Sequence, residues 1–312
     1  MATVPKSHHL SSNVLYDMTG LVALITGGGS GIGLMIAEAY AVHGATVYIG
    51  GRREQTLDKA ASDVAQRIGN SSGRLVPLGL DVTKKESIRN AVNIIREKEG
   101  KLHILVNNAG QVGPFSGFFN DESAPEHADI GTAVFENEHF ADWASLFDIN
   151  ITSIFFTTFA FLPLLELGAQ DLDSRSPAHP LTTSVINITS VSGIQRQAQM
   201  HFAYNVSKAA ANHLTRLLST ELALKKKPVR VNAIAPGPFP TEMTEHQGQT
   251  FGAYVADMIG KGIHPHPARR GGTEEEIAGA ALLLASPVAG GYINGHIMLV
   301  DGGFLLVNPG ST

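Results

Sequence analysis

The sequence predicts an α/β fold in which helices cover both faces of a parallel sheet. Two observations carry this prediction. Short apolar runs alternate with amphipathic stretches of roughly ten to fifteen residues, the pattern of strand–helix–strand units, along most of the 312 residues. A glycine-rich turn also follows the first apolar run, as in folds that bind a nucleotide between a strand and a helix. The polar ends of the strands are therefore where we expect the functional site.

Each element follows from its local pattern. Runs rich in Val, Ile and Leu predict buried strands, and apolar residues at helical spacing predict the crossover helices. Along the chain these are strand Leu21–Thr26, helix Leu34–Val42, strand Thr46–Ile49, helix Glu54–Ile68, strand Leu75–Leu80, helix Lys84–Lys98, strand Leu102–Val106, helix Ala141–Leu167, strand Ser184–Thr189, helix Ala203–Leu224, strand Val229–Ile234, helix Thr273–Ala285 and strand Ile297–Val300. No repeat or linker interrupts the series, so residues 19–312 are predicted to form one domain after a polar surface arm at 1–18.

Two stretches break the alternation of strands and helices. Val112–Glu138 is long and contains Gly113, Pro114 and several phenylalanines, so we expect it to line a pocket. Ala169–Pro180 is polar with two prolines and is predicted to be a surface insertion.

Composition excludes several functional classes. A hydrophobic share of 43% with 16% charged residues is that of a globular protein, and a net charge of -5 argues against a nucleic-acid partner. The absence of cysteine removes thiolate chemistry and Cys-ligated zinc. We expect no metal site, because the histidines at 264 and 266 have no carboxylate near them in sequence. No signal peptide is visible and the apolar stretch Ile149–Leu165 is interpreted as a buried helix, so we expect a cytoplasmic protein without a membrane partner.

The glycine-rich turn has the spacing Thr-Gly-x-x-x-Gly-x-Gly, with glycines at 27, 31 and 33. Glycines there let the backbone turn tightly and approach a pyrophosphate at the start of the next helix. The chain contains no Gly-x-x-x-x-Gly-Lys-Ser/Thr, Gly-x-Ser-x-Gly or His-Glu-x-x-His pattern, so the NTPase, common serine-hydrolase and zinc-protease signatures are missing. A dinucleotide is the favoured ligand.

The end of the second strand indicates which dinucleotide binds. A fold that prefers NAD places an acidic residue there, about 20 positions after the glycines, to bind the ribose 2′-hydroxyl. This chain has Arg52 and Arg53 instead. Guanidinium groups suit a 2′-phosphate, so the sequence predicts NADP(H), with Arg52 as the more probable contact. The alternative is a pair of solvated arginines at the start of a helix.

A third pattern carries acid–base chemistry. Ser190 follows a buried strand, and Tyr204 precedes Lys208 by four residues, which places phenol and ammonium on one face of a helix. A nearby ammonium favours the phenolate and so lowers the tyrosine pKa. Ser190 could hydrogen-bond a substrate oxygen on which charge develops. Ser192 remains an alternative to Ser190. The set suits proton transfer at a carbonyl or alcohol oxygen.

These pieces together resemble the short-chain dehydrogenase/reductase family over roughly residues 19–303. The matching segments are TGGGSGIG at 26–33, LDV at 80–82, NNAG at 107–110, DIN ending at Asn150, NITSVSG around Ser190, YNVSK at 204–208, PG at 236–237 and VDGG at 300–303. The resemblance implies a single doubly wound Rossmann domain with a seven-stranded parallel sheet of order 3-2-1-4-5-6-7. It also implies an NADP(H)-dependent carbonyl reductase or alcohol dehydrogenase, similar to the 3-oxoacyl reductases of rhamnolipid pathways.

The resemblance assigns a role to each matching residue. Tyr204 would be the proton donor and acceptor, and Ser190 would position the substrate oxygen. Lys208 would bind the nicotinamide ribose and lower the tyrosine pKa, while Asn150 would support a proton relay. The cofactor would contact Thr26, Gly27, Gly29, Ser30, Gly31, Ile32, Gly33, Arg52, Arg53, Asp81, Val82, Asn108, Ala109, Gly110, Tyr204, Lys208, Pro236, Gly237 and Thr241.

The resemblance also indicates which loops form the substrate pocket. They supply Val112, Phe115, Ser192, Ile194, Arg196, Met200, Phe239 and Met243, a mainly apolar set that fits a medium-to-large lipophilic ketone or alcohol. Two other readings stay open: a dehydratase or epimerase on the same fold, and an NADP(H)-sensing protein without enzymatic activity. In family members the helices matching 141–167 and 203–224 pair across a two-fold axis, so we expect a homodimer or homotetramer.

Overall fold

The structure is a computed structural model that describes residues 8–69, 71–175, 180–241 and 263–308. Seven parallel strands form one sheet in the order β3-β2-β1-β4-β5-β6-β7, which confirms the expected sheet. Helices lie on both of its faces, in two apolar cores. The strands are β1 Val22–Thr26, β2 Thr46–Gly51, β3 Arg74–Gly79, β4 Ile104–Asn107, β5 Thr183–Ile188, β6 Val229–Pro236 and β7 Ile297–Val300.

The central strands are covered on both faces, and their sequences show why. Every residue of β1, β4, β5 and β6 is buried, so these strands consist mainly of aliphatic residues rather than alternating ones. The edge strands β3 and β7 keep exposed positions. Because all strands run in one direction, their carboxyl ends meet at a single edge of the sheet, directly above the glycine turn.

The helices follow the predicted order with changed boundaries. Those longer than one turn are α2 Gly31–Val42, α3 Glu54–Ile68, α4 Lys85–Glu99, α5 Ile130–Asn137, α6 Phe140–Phe147, α7 Ser153–Arg175, α8 Phe202–Leu224 and α9 Glu274–Ala285. The short helices α1 Ser12–Leu15 and α10 Phe304–Val307 lie near the ends of the described chain. The long stretch 112–138 contains 3₁₀ turns at Gly117–Asn120 and Pro125–Asp129, followed by α5.

The prediction that Ala169–Pro180 forms a surface loop is wrong for residues 169–175, because α7 continues to Arg175. Ala169 and Leu172 are buried against the sheet, and Asp171 between them bonds Lys101 and Arg175 near the amino end of the strands. Polar composition misled the assignment, since half of this turn packs inward. Residues 176–179 lie outside the described chain.

Helices α6 and α7 are joined by a π-helical turn, Asp148–Thr152, into one continuous helix from Phe140 to Arg175. Its length and hydropathy are sufficient, by themselves, to cross a membrane, but 44% of its most apolar stretch is buried inside the protein. Phe161, Leu164 and Leu165 are fully buried. This helix therefore packs as a core helix with one exposed apolar side, which corrects the expectation that Ile149–Leu165 is simply buried.

The segment before β1 is not only a surface arm. Met18 is completely buried, and the hydroxyl of Ser286 donates a hydrogen bond to the carbonyl of Leu15 at 2.6 Å. These contacts fasten residues 12–18 to the helical layer that contains α9. Residues 1–7 lie outside the described chain.

Candidate active site

A cleft of about 490 Å³ opens at the carboxyl ends of β1, β2, β4 and β5. Its lining joins segments that are far apart in sequence. They include the glycine turn after β1, the residues at the ends of β2, β3, β4 and β5, and the face of α8 that carries Tyr204. The predicted cofactor residues that line it are Gly27, Gly29, Ser30, Gly31, Ile32, Arg52, Arg53, Asp81, Val82, Asn108, Ala109, Gly110, Tyr204, Lys208 and Thr241. The structure thus brings most of the predicted residues into one cavity.

The glycine turn is tight for a steric reason. Gly27 and Gly31 have positive φ angles of 65° and 52°, which residues with a Cβ rarely adopt. A Cβ on Gly33 would lie 2.4 Å from both the side-chain nitrogen of Asn108 and the carbonyl oxygen of Gly27. The first turn of α2 therefore lies directly against the backbone after β1. Its N-terminal amides border a cleft where they can bind an anion.

Thr26 and Gly33 lie beneath the cleft rather than on its surface. The Thr26 hydroxyl accepts hydrogen bonds from the backbone amides of Asn108 and Ala109, both at 3.0 Å. The side chain of Asn108 donates in return to the Thr26 and Gly27 carbonyls, each at 3.0 Å. These bonds join the glycine turn to the segment after β4. Thr26 supports the cleft and is shielded from it by backbone.

Lys208 is the charged group at the inner end of the cleft. It is 6% exposed and donates a hydrogen bond to the Ile188 carbonyl at 3.1 Å. Its ammonium lies 5.6 Å from the centroid of the Tyr204 ring, one turn earlier on α8. Burial lowers the pKa of Lys208 to about 8, so the group is still charged at pH 7 but releases its proton more readily than an ordinary lysine.

Asn150 lies in the π-helical turn between α6 and α7 and is 1% exposed. Its side chain accepts a hydrogen bond from the Gln111 amide and donates to the Gln111 carbonyl, both at 3.0 Å. It also donates to the Ser207 hydroxyl at 3.0 Å. A Cβ on Gly110 would lie 3.0 Å from the Asn150 oxygen and 3.7 Å from Lys208 Nζ. The Asn150 side chain and the Lys208 ammonium therefore both lie next to Gly110, where a larger residue would contact them.

Ser207 and Gln111 are polar positions at this site that the sequence analysis missed. Ser207 is fully buried, and its hydroxyl donates to the Tyr204 carbonyl at 2.7 Å while it accepts from Asn150. A serine inside YNVSK resembles any helix serine, so no pattern distinguished it. Gln111 contributes through its backbone, where side-chain identity carries no signal.

Ser190 begins a short 3₁₀ turn just after β5 and is 9% exposed. Its hydroxyl accepts a hydrogen bond from the Ser192 amide at 3.1 Å. The two residues before it, Ile188 and Thr189, line the cleft. The Ser192 hydroxyl instead donates to the Gln199 side chain at 3.3 Å.

Arg52 and Arg53 lie at the outer end of the cleft, opposite Lys208. Asp81 lines the same end and accepts hydrogen bonds from the Thr83 amide at 3.0 Å and hydroxyl at 2.7 Å. Burial alone would raise the pKa of Asp81, but these bonds and the charges of Lys84 and Arg52 lower it. The carboxylate is therefore ionised and engaged locally, which leaves the outer end rich in positive charge.

The predicted substrate residues divide into three groups. Val112 lines the cleft. Phe115, Ser192, Ile194, Arg196 and Met200 lie in the adjoining loops, with Phe115 and Arg196 exposed. Phe239 is buried in the core with its ring against Gly272, and it does not border the cleft; Pro236 and Gly237 are likewise absent from its lining and pair with β7. Met243 lies outside the described residues.

The fold and the site together define a class of protein. A doubly wound sheet, a glycine turn at a helix N-terminus and a tyrosine–lysine pair in one cleft are typical of a dinucleotide-dependent enzyme that moves a proton at a substrate oxygen.

Comparison with known proteins places the chain in a family. Residues 27–305 match a family model described as enoyl-(acyl carrier protein) reductase. A short-chain dehydrogenase/reductase of Byssochlamys spectabilis, VdtF, is 36% identical over 97% of this chain and 98% of its own. The rhamnolipids biosynthesis 3-oxoacyl-[acyl-carrier-protein] reductase of Pseudomonas aeruginosa is 34% identical over 93% and 98%. The NADP active-site complex of Pseudomonas aeruginosa RhlG superposes with a TM-score of 0.73 at 33% identity, covering 93% and 98%. The chain belongs to the short-chain dehydrogenase/reductase family, whose members among these relatives are oxidoreductases.

Proposed function

We propose that this protein is an NADP(H)-dependent oxidoreductase that interconverts a ketone and a secondary alcohol on a medium-to-large, largely apolar substrate. One observation carries the proposal: Tyr204 and the buried ammonium of Lys208 line the same cleft as the glycine turn. A phenol next to a buried cation, in the same cavity as a glycine turn, is suited to acid–base chemistry at an oxygen atom.

The cleft fits an elongated dinucleotide phosphate. The glycine turn presents helix N-terminal amides midway along it, where a pyrophosphate would be held by Gly31 and Ile32. At the outer end, Arg52 and Arg53 supply the guanidinium groups that a ribose 2′-phosphate requires. Among the described lining residues Asp81 is the one carboxylate, and one of its oxygens accepts a hydrogen bond from the Thr83 hydroxyl. NADH bound as tightly as NADPH in a titration would contradict the NADP(H) assignment.

When bound, the cofactor supplies or accepts the hydride at the substrate carbon. The chain itself handles the proton. In the reductive direction the Tyr204 hydroxyl donates its proton to the carbonyl oxygen as that carbon becomes tetrahedral. The Lys208 ammonium stabilises the resulting phenolate, and its pKa of about 8 allows it to return a proton to the tyrosine near neutral pH.

Ser190 and Asn150 complete the set. We assign Ser190 rather than Ser192 to the substrate oxygen, because the Ser192 hydroxyl is directed to Gln199, whereas the Ser190 oxygen only accepts from an amide and keeps its own proton to donate. Asn150, held at the π-turn by Gln111, faces the lysine across Gly110. It would order the water through which Lys208 regains its proton.

We also propose that the protein assembles as a cytoplasmic homodimer or homotetramer. Exposed apolar residues lie along α7 and α8, at Phe155, Phe159, Val206 and Leu217. Apolar stripes of this kind on neighbouring helices favour burial against a second copy. A monomeric mass in solution at micromolar concentration would contradict the assembly.

The experiment that tests the function is NADPH oxidation over a panel of ketones, from short 3-oxo esters to cyclic, aromatic and steroid ketones, with NADH run alongside. Tyr204→Phe keeps the ring and removes the transferable proton, so its turnover should fall at least about 10³-fold. Tight NADPH binding without turnover of any ketone would instead support a dehydratase, an epimerase or a sensing role. Product analysis separates these outcomes.

A further inference from the structure

The long stretch between β4 and α6 contains a carboxylate, Glu138, that bonds two separate parts of the protein. Glu138 accepts a hydrogen bond from the Ser116 hydroxyl at 2.7 Å and, on its other oxygen, from the indole nitrogen of Trp143 at 2.8 Å. Trp143 belongs to α6, the helix that leads into the π-turn of Asn150. Glu138 therefore joins the start of this stretch to a helix of the site.

Ser116, which donates to the Glu138 carboxylate, connects the long stretch to a second loop. It is fully buried, and all of its polar groups are bonded: its hydroxyl also accepts from Asn137 at 3.1 Å and its carbonyl accepts from the Phe119 amide at 3.0 Å. Its own amide donates to the Met200 carbonyl at 2.9 Å. This last bond crosses to the loop that follows the candidate catalytic serine.

That loop is held in an unfavourable conformation. Gln199 and Met200 have φ angles of 52° and 64°, in the left-handed region that residues with a Cβ disfavour. Each of these two residues accepts a hydrogen bond from elsewhere. The Ser116 amide bonds the Met200 carbonyl, and the Ser192 hydroxyl bonds the Gln199 side chain. A strained segment persists where its surroundings over-determine it, and here the surroundings include Glu138.

The two fastened segments place aromatic rings side by side next to Tyr204, which lines the cleft. Phe115 and His201 pack with their ring centroids 4.9 Å apart, and His201 lies 6.4 Å from the Tyr204 ring. Phe119 and Phe202 make an edge contact at 5.0 Å behind them. Phe115 and His201 thus form an aromatic wall that extends from Tyr204. Phe115 is 52% exposed, so part of its ring is accessible to a substrate.

We propose that Glu138 is a positioning residue that latches this stretch to the loop after Ser190, and that the Phe115–His201 wall so formed selects ketones whose apolar body contains a ring. The inference rests on the proposed function, whose substrate it narrows. Two aromatic rings in offset or edge contact attract each other by more than the burial of their apolar area alone, because their quadrupoles are complementary in these arrangements. Ring-bearing ketones should therefore gain affinity at this wall, and short aliphatic ketones should not.

The test compares two 3-oxo esters, ethyl benzoylacetate with a ring and ethyl acetoacetate without one. In Phe115→Ala the ratio of kcat/KM for the ring-bearing to the ringless ester should fall at least fivefold, through KM. Glu138→Ala should lower the ratio to a similar extent, and the double variant should be no worse than Phe115→Ala alone. Glu136→Ala, an exposed carboxylate on α5, is the matched control and should leave the ratio unchanged.

A second measurement is independent of turnover. Trp143 is the one tryptophan of the chain, so its fluorescence reports the latch: Glu138→Ala should shift the emission maximum, and Glu136→Ala should not. Wild-type emission should also respond to ethyl benzoylacetate at lower concentration than to ethyl acetoacetate. If both esters are reduced but neither Glu138→Ala nor Phe115→Ala changes the ratio of their kcat/KM values, the latch is overturned. If neither ester is reduced while the fluorescence differences hold, the reductase function fails and the aromatic wall stands.

Discussion

Two charged sites lie at opposite ends of the sheet, one partly exposed and one buried, and they are built differently. At the amino end, Asp171 on α7 forms ion pairs with Lys101 at 2.5 Å and Arg175 at 2.6 Å and accepts a hydrogen bond from His103 at 3.1 Å. At the carboxyl end, Lys208 bonds the Ile188 carbonyl, and no carboxylate in the described part of the chain pairs with it. The charges at the first site are paired with each other, and the charge at the second is not.

The tautomer of His103 shows how complete the pairing at the amino end is. Its Nδ1 accepts a hydrogen bond from the Val22 amide at 2.9 Å, so the proton must sit on Nε2, which donates to Asp171. The imidazole is thus neutral, and burial lowers its pKa to about 4 despite the carboxylate beside it. Burial would raise the pKa of Asp171, but the bonds from Lys101 and His103 lower it instead.

The two sites differ in what their charges do. The charges around Asp171 stabilise one another within the protein, whereas the charge of Lys208 is available to a ligand. A buried ion without a partner is costly, so a protein retains one where something other than folding requires it. Lys208 fits that description, and the anionic cofactor and phenolate that we propose beside it would supply the missing negative charge.

The largest effect should follow from removing the unpaired charge. Lys208→Met keeps the length of the side chain, and its turnover should fall by about 10³-fold. A pKa lowered from 10.5 to about 8 corresponds to about 3 kcal/mol of burial cost, which is fully present at pH 7 and is relieved as pH rises from about 8 to 10.5 because the folded protein loses the proton first. After about 1 kcal/mol for the lost carbonyl bond, the free energy of unfolding at pH 7 should rise by about 2 kcal/mol.

Urea denaturation of wild type and Lys208→Met checks this prediction. Lys59→Met, on the exposed side of α3, is the control for removal of a surface lysine. A clear loss of stability in Lys208→Met would show that the lysine is paired after all, and the contrast between the two ends would disappear.

The next effect comes from the amino end and depends on pH. A histidine whose pKa falls from 6.5 unfolded to about 4 folded stabilises the protein fully above pH 6.5. That stability, about 3 kcal/mol, should be lost as pH falls from 6.5 to 4, because the unfolded chain binds the proton first. Unfolding measured between pH 4 and 7 should show this slope in wild type. In His103→Gln the slope should shrink; an unchanged slope would assign it to other groups.

The smallest effect tests the neutral network around Lys208. Ser207→Ala removes the hydroxyl that accepts from Asn150, and kcat should fall by about tenfold, the value of one buried hydrogen bond. The alkaline limb of the pH–rate profile should move, because the lysine loses its ordered neighbour. Ser219→Ala is the matched control, since Ser219 makes the same hydroxyl-to-carbonyl bond on the same helix. Equal kinetics in both variants would reduce Ser207 to a packing residue.

Much of the fold could be predicted because it depends on local patterns. Strands such as β1 and β4 consist mainly of consecutive apolar residues, and Gly27 and Gly31 mark a turn whose positive φ angles favour glycine. Tyr204 and Lys208 share a helix face because helical geometry requires it of residues four apart. These inferences use only neighbours along the chain, so the sequence sufficed for them.

The failures share the opposite cause. The end of α7 was misplaced because the polar residues 171–175 bond partners near residues 19 and 101–103, which no local pattern reveals. Phe239 was assigned to the substrate pocket by its position after Pro236 and Gly237, yet its ring turns into the core against Gly272. Met18 was included in a polar arm although its side chain is buried.

The sequence by itself determined the alternating strands and helices, the glycine turn and the types of residue available for proton transfer, because each depends on backbone conformation or on spacing within one element. Only the tertiary structure decided which side chains meet: Asn150 with Ser207, 57 residues apart, His103 with Asp171, 68 apart, and Glu138 with Ser116. Such pairings form when separate elements pack, and packing depends on the whole core rather than on any one segment.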